Sequence, residues 1–124
     1  MPSNDEDRDP TTGDHAGVTM INVIEIPADQ IDRFMACWKA RAHIMSILPG
    51  FRDYELHQAL LKESRFQLVN VARWDSREAL EAAMTNPESL SRREAATLET
   101  DLDIKGNPAL YRVVASDRRQ KNAN

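Results

Sequence analysis

Cysteine and histidine are scarce in this chain of 124 residues. Cys37 is the only cysteine, so neither an intrachain disulfide nor a thiolate metal cluster is available. The three histidines, His15, His43 and His57, show none of the HxH or HExxH spacings of dedicated metal sites. The four glycines form no phosphate-binding loop, and no GxSxG nucleophile elbow occurs. A dedicated metal site therefore has little support, and a hydride cofactor and acyl transfer have none.

Long apolar runs and a surplus of basic charge are also missing. No run approaches the roughly 18 residues of a membrane span, and the amino terminus lacks the basic and apolar regions of a signal peptide. We therefore expect a cytoplasmic protein without membrane association. The net charge of −4 offers no concentrated basic face for nucleic acid. The 41% apolar and 29% charged residues are typical of a soluble globular protein.

The length and the local composition predict one folded domain between two tails. Residues 1–17 are acidic and contain no large aliphatic side chain except Met1, so burial cannot offset the entropy of ordering them. Residues 117–124 likewise contain no large aliphatic side chain. We expect a disordered acidic tail at 1–17, a domain at 18–116 and a flexible tail at 117–124.

The first half of the domain reads as a strand followed by a helix. Residues 18–26 are β-branched and apolar, and Pro27 ends them. Asp29 is a plausible N-cap for the helix that follows. Apolar residues then recur at three- and four-residue steps until Pro49-Gly50: Ile31, Phe34, Met35, Trp38, Ala42, Met45 and Leu48.

The second half reads as a hairpin, a divided helix and a last strand. Residues 51–60 and 65–74 have strand character and are separated by a short polar segment. Residues 75–78 have capping-box spacing, and Pro87 divides the helix that follows from a second helical stretch at 88–98. Residues 106–108 suggest a turn, and 109–115 suggest a final short strand.

The resulting order, β-α-β-β-α-β, is that of a ferredoxin-like α+β domain, with an antiparallel sheet covered by helices on one face. The strand at 65–74 is apolar on both faces: Phe66, Leu68, Asn70, Ala72 and Trp74 alternate with a set that includes Val69 and Val71. An apolar face that no helix covers needs another partner. We therefore predict a homodimer in which the open sheet faces pack together or enclose a cavity.

Asn22 and Asn70 interrupt apolar strand faces, and a buried amide without a partner costs about 1–3 kcal/mol. Two interpretations remain open. Each amide could form a structural hydrogen bond, or both could line a pocket and bind substrate oxygens. Trp74 shares the strand face of Asn70 about 13 Å away, where it could wall an aromatic ligand or be ordinary core.

Further candidate substrate-contacting residues are the aromatic and apolar side chains on the same elements: Phe34, Trp38, Tyr54, His57, Phe66 and Leu68. Trp38, on the helix stripe, fits an ordinary core position better than a binding site. Tyr54 and His57 lie on opposite faces of the second strand, so at most one of them can face a given pocket.

Three segments resemble the antibiotic biosynthesis monooxygenase family: INVIEIP at 21–27, LPGF at 48–51 and RFQLVNVARW at 65–74. The resemblance extends over residues 18–114 and implies a dimeric α+β barrel. In one branch of the family, anthrone-type oxygenases convert aromatic polyketides to quinones with O₂ and without metal, flavin or haem. By this resemblance Asn22, Asn70 and Trp74 are the catalytic residues, and the expected partners are an identical subunit, a small aromatic substrate and O₂, with no cofactor.

Two other functions remain open. A second branch degrades haem, but it uses a proximal histidine from the second helical region, and no histidine follows His57. A non-catalytic dimeric protein that binds a small molecule is the third interpretation.

Overall fold

The computed structural model describes residues 17–96 and 102–117. Four strands and three helices follow a β-α-β-β-α-α-β order, in which two consecutive helices occupy the second helical region. In chain order they are β1 (Val18–Glu25), α1 (Ile31–Ser46), β2 (Phe51–Gln58), β3 (Leu68–Trp74), α2 (Arg77–Thr85), α3 (Pro87–Ala96) and β4 (Lys105–Tyr111). A short 3₁₀ turn, Ala28–Gln30, precedes α1.

The four strands form one antiparallel sheet in the order β2-β3-β1-β4. The two central strands are therefore β3 and β1, and Asn22 pairs with Asn70 across them. The helices pack on one face of the sheet, with α1 also contacting α3. This arrangement is the ferredoxin-like α+β fold and confirms the fold class predicted from the sequence. No helix in the described ranges is long and apolar enough to cross a membrane.

Alternation along the central strands decides which side chains meet the helices. Ile24 and Leu68 are buried against Ile31 and Phe34 of α1 at one end of the domain. At the other end, Trp74 is buried against α2. Leu68, Asn70, Ala72 and Trp74, predicted to share one strand face, do so, and with their neighbours on β1 they face the helices. Phe66, predicted on the same face, lies before the strand.

Two predicted boundaries, the start of β3 and the N-cap of α1, need correction. The strand predicted at 65–74 begins at Leu68. The buried Gln67 before it belongs to the preceding loop, because its side chain is hydrogen-bonded to that loop. Its Nε2 donates to the carbonyl oxygens of Leu61, Lys62 and Ser64 at 2.6–3.1 Å. Asp29 is not the N-cap of α1, since it lies in the 3₁₀ turn and the cap position is Gln30.

The last strand begins earlier than predicted. Gly106 and Pro108, predicted to form a turn, lie inside β4, and Val113 and Val114 lie beyond its end. β4 is an edge strand, where a proline need not donate a ladder hydrogen bond. Apart from Gly17 and Asp117, the two predicted tails lie outside the described residues, as does the end of the helix predicted at 88–98.

Two local features join β2 and β3 to α2. Gly50, just before β2, has φ +88° and packs against Ala79 of α2. Its carbonyl oxygen accepts a hydrogen bond from the backbone N–H of Asp75 at 2.7 Å. Ser76 is the N-cap of α2, and its hydroxyl accepts from the N–H of Ala79 at 3.0 Å. Both features lie where β3 leads into α2, beside Trp74.

Candidate functional site

A cavity of about 670 Å³ lies between the sheet and its helices. This volume is within the range of small-molecule sites, and apolar side chains dominate the walls. The sheet contributes Met20, Asn22, Ile24, Tyr54, Asn70, Ala72 and Trp74, and α1 contributes Phe34, Trp38, Arg41, Ala42 and Met45. Six of the nine predicted site residues therefore line one cavity: Asn22, Asn70, Trp74, Phe34, Trp38 and Tyr54.

Asn70 is the polar residue at the centre of the cavity's sheet wall. Its Oδ1 is buried and has no hydrogen-bond partner among the described residues. Leaving a buried acceptor unpaired costs about 1–3 kcal/mol. Rotation about χ2 exchanges the amide oxygen and nitrogen, so the side chain can present either atom to a ligand.

Asn22, the cross-strand neighbour of Asn70, already has a structural partner. Its Oδ1 accepts a hydrogen bond from the backbone N–H of Asn107 on β4 at 2.7 Å. The side chain of Asn107 in turn donates to the carbonyl oxygen of Val23 at 2.8 Å. Gly106 lies against the Asn22 amide, where an added Cβ would come within 3.3 Å of Oδ1. What Asn22 can offer a ligand is therefore its amide N–H groups.

Aromatic rings form two further walls of the cavity. Trp74 is only 2% exposed and meets Phe51 edge-to-face, with ring centroids 5.3 Å apart. Trp38 and Tyr54 form a second edge-to-face pair at 5.0 Å. These contacts fix the rings from two sides, so they present a preformed apolar surface to a flat ligand.

The sequence interpretation missed two arginines, Arg41 on α1 and Arg93 on α3, which also line the cavity. Burial lowers the pKa of Arg93, and the nearby charge of Arg41 lowers this pKa further, while Glu94 opposes both effects. The sequence does place Arg41 in the cavity wall, because Arg41 lies three residues after Trp38 and four before Met45, on the same helix face. A search of that stripe for apolar residues passes over it.

Three predicted substrate-contacting residues do not line this cavity. His57 pairs with Val69 on the open face of the sheet, with its Nε2 3.3 Å from a carboxylate oxygen of Glu55. Leu68 is packed in the core. Phe66 lies in the loop before β3, where its ring stacks under the Arg65 guanidinium at 5.0 Å.

Histidine is also absent from the cavity wall in the part of the chain that the structure describes. His43 is exposed on α1, and His57 is exposed on the opposite face of the sheet. His15 lies outside the described residues. The cavity therefore offers no imidazole from these residues to a haem iron, the ligand that the haem-degrading branch needs.

The arrangement suits a flat, mostly apolar molecule that carries a few oxygen atoms. Aromatic side chains supply contact area, Asn70 and Asn22 supply amide groups, and Arg41 and Arg93 supply positive charge. Within these walls, hydrogen bonds and charges act more strongly on a bound molecule than they would in water.

The family model for antibiotic biosynthesis monooxygenase matches residues 17–94, more than half of the chain. The comparison with curated proteins gives no match.

Solved structures share the fold. A Shewanella loihica protein described as a candidate monooxygenase is 34% identical, with a TM-score of 0.66 over 82% of this chain and 97% of that one. SnoaB from Streptomyces nogalater, a cofactor-independent oxygenase, is 21% identical with a TM-score of 0.59 over 86% and 97%. MhuD, solved as a mutant with two manganese protoporphyrin IX molecules per active site, is 22% identical with a TM-score of 0.65 over 82% and 99%. On the family match and the 34% relative, this chain belongs to the antibiotic biosynthesis monooxygenase family.

Proposed function

We propose that the protein is a cofactor-independent monooxygenase that oxidises an aromatic, polyketide-like substrate of the anthrone type to a quinone with O₂. The observation that carries the proposal is Asn70, a cavity-lining amide whose buried acceptor has no partner among the described residues. Most buried side-chain amides are paired within the protein, so a buried acceptor that faces a cavity without such a partner is placed to pair with a bound substrate. The coarser assignment, to the monooxygenase family, rests on the family match.

The proposed reaction is balanced without a cofactor. The ring CH₂ of a hydroxyanthrone loses a proton, and the resulting anion gives one electron to O₂. The substrate radical and superoxide then combine through a new C–O bond, and protonation gives a hydroperoxide. Loss of the second ring hydrogen with cleavage of the O–O bond forms the C=O group and releases water. One oxygen atom of O₂ thus enters the quinone and the other leaves as water.

The protein's part is to bind, exclude water and stabilise charge on oxygen. Asn70 and Asn22 hold the substrate carbonyl and the peroxide oxygen through their amides. Trp74 packs against the substrate rings and donates its indole N–H to the same oxygen atoms. The walls formed by Phe34, Trp38 and Tyr54 keep the reactive anion away from bulk water.

We also propose that the active form is a homodimer. The family is typically dimeric, and the sheet face opposite the helices carries half-buried Ile21, Val23, Val69 and Val71 at its centre. Pairing that face with an identical one removes apolar surface from water on both subunits.

Oxygen uptake with 1,8-dihydroxyanthrone tests the activity. Wild type should consume O₂ well above the buffer rate and place one ¹⁸O atom from ¹⁸O₂ in the quinone. Asn70→Ala should lower the rate about 100-fold, the typical effect of losing an oxyanion-stabilising group. Gln58→Ala, which removes an exposed amide at the end of β2, should retain the wild-type rate.

Two results would reject the proposal. Equal rates for wild type, Asn70→Ala and buffer would leave a non-catalytic small-molecule binder, provided the ligand still binds. A tight Soret shift on titration with haem, followed by haem breakdown, would instead favour the haem-degrading branch.

A further inference from the structure

Arg41 is a charged cavity residue to which the proposed reaction assigns no role. Arg41 and Ala42 lie three and four residues after Trp38 on α1, and Met45 follows them by four and three residues. All four residues therefore lie on one face of the helix and line the cavity. The Nε of Arg41 is buried without a hydrogen-bond partner. No hydrogen bond or ion pair joins its guanidinium to any residue in the described ranges. A guanidinium has five N–H donors, so Arg41 can donate hydrogen bonds to a ligand that binds beside the apolar wall.

The other charged groups of the cavity do not neutralise Arg41. Glu81 is the acidic residue among the described lining side chains, and its carboxylate is engaged by Arg77 at 2.8 Å. Arg93 donates to the carbonyl oxygen of Met84 at 2.9 Å and to the Ser89 hydroxyl at 3.3 Å. Arg41 and Arg93 are also close enough for one to lower the pKa of the other. Among the described lining residues, no carboxylate is therefore free to pair with Arg41.

Two like charges beside a low-polarity cavity repel each other and lose hydration. A bound anion removes both penalties, and a carboxylate is the group that matches a guanidinium through two parallel hydrogen bonds. A neutral hydroxyl or keto group does not compensate the charge of Arg41.

We propose that Arg41, with Arg93 beside it, is a carboxylate-binding subsite, and that the ligand is a hydroxylated aromatic acid. The acid group binds the guanidinium of Arg41, and the hydroxyl or keto oxygens meet Asn70 on the sheet wall. This inference rests on the proposed function for the aromatic class of the substrate, and it adds the acidic group and the residue that selects it.

Binding of a matched pair of probes tests the subsite directly. Anthraquinone-2-carboxylate and 2-(hydroxymethyl)anthraquinone share the ring system and differ in the acid. Trp38 and Trp74, the two tryptophans of the chain, both line the cavity, so quenching of their fluorescence reports occupancy. Wild type should bind the acid at least tenfold more tightly than the alcohol at low ionic strength, and added salt should reduce this preference.

Substitutions at position 41 test whether Arg41 causes the preference for the acid. Arg41→Gln should abolish the preference for the acid while binding of the alcohol stays within twofold of wild type. Arg41→Lys should keep part of the preference, because charge remains but the planar fork is lost. Arg92→Gln is the matched control, since it removes a neighbouring exposed charge that pairs with Glu88, and it should behave as wild type.

Several results overturn the subsite. Equal affinity of wild type for the two probes excludes it, as does an undiminished preference in Arg41→Gln or an equal loss for both probes. If Arg41→Gln fails to fold, an unchanged preference in Arg41→Lys under the same salt series excludes the proposed bidentate contact. These readouts do not depend on oxidation. Discrimination between the probes without oxygen uptake would reject the proposed function and leave the subsite standing.

Discussion

Asn22 and Asn70 are cross-strand partners with different hydrogen bonding. Asn22 accepts a hydrogen bond from the Asn107 backbone at 2.7 Å, whereas the Oδ1 of Asn70 is buried and unpaired within the described structure. Loss of a satisfied pair should destabilise the fold, and loss of an unsatisfied polar atom should not. The two residues can therefore be separated by stability measurements, without knowledge of the substrate.

Asn70→Leu is expected to keep or raise stability while it removes activity. Leucine has a similar volume and no polar atom to desolvate, so the free energy of unfolding should stay unchanged or increase by up to about 2 kcal/mol. Urea unfolding followed by circular dichroism measures this, with oxygen uptake on the same sample. A loss above about 1 kcal/mol would mean that the amide has a structural partner.

Asn22→Leu is expected to destabilise the fold. The backbone N–H of Asn107 loses its acceptor, which should lower the free energy of unfolding by about 1 kcal/mol and the melting temperature by about 4–8 °C. Asn22→Asp is the control, because its carboxylate retains the acceptor and should recover most of the loss. Calorimetric melting of the three proteins provides the comparison, and equal melting temperatures would contradict the structural role.

Alternation along β3 was enough to predict that Asn70 and Trp74 share a face, because strand side chains repeat every two residues. Which face the helices cover is seen only in the structure. The partner of Asn22 could not be predicted in the same way, since it depends on the register of β4, some 85 residues along the chain. Arg41 was missed because the helix periodicity was followed through apolar residues only, although Arg41 lies on the same stripe.

Gly50, in the turn before β2, packs directly against Ala79 of α2. Gly50 has φ +88°, which costs an L-residue about 1–2 kcal/mol, and a Cβ there would overlap the Cβ of Ala79 on α2. The LPGF segment, which follows the C-cap of α1, therefore sets how closely α2 approaches β2.

Gly50→Ala should lower the free energy of unfolding by about 3 kcal/mol, from backbone strain and the overlap together. Ala79→Gly removes the atom that Gly50→Ala would meet. The double variant should thus be more stable than the sum of the two single changes predicts, by about 1 kcal/mol or more. Urea unfolding of all four proteins gives this coupling, and strict additivity would show that the two residues do not press on each other.

The bounds of β4, an edge strand, could not be predicted from local composition. Gly106 and Pro108 have the composition of a turn, yet they belong to β4. Proline is tolerated there because the strand is at the edge of the sheet, and glycine leaves room for the Asn22 amide beneath it. Both reasons depend on where β4 lies in the sheet, which local composition does not contain.

At the scale of the whole molecule, the two faces of the sheet have different surroundings. The inner face encloses the cavity under the helices, whereas in the described ranges no helix covers the outer face. The outer face has an apolar centre that includes Ile21 and Val71, and ion pairs such as Arg73–Asp53 at 2.8 Å lie toward its rim. An apolar centre with a charged rim is typical of a protein interface.

Val71→Lys tests whether this face joins two subunits. Val71 pairs with Ile21 on one side and Glu55 on the other, so within one subunit a lysine would lie opposite a carboxylate and be tolerated. In a face-to-face dimer the same ammonium would be buried without hydration, and two copies would repel. Light scattering at micromolar concentration should therefore give a dimer for wild type and a monomer for Val71→Lys with unchanged helix content. Leu90→Lys, on the exposed side of α3, should remain dimeric, and a monomeric wild type would refute the dimer.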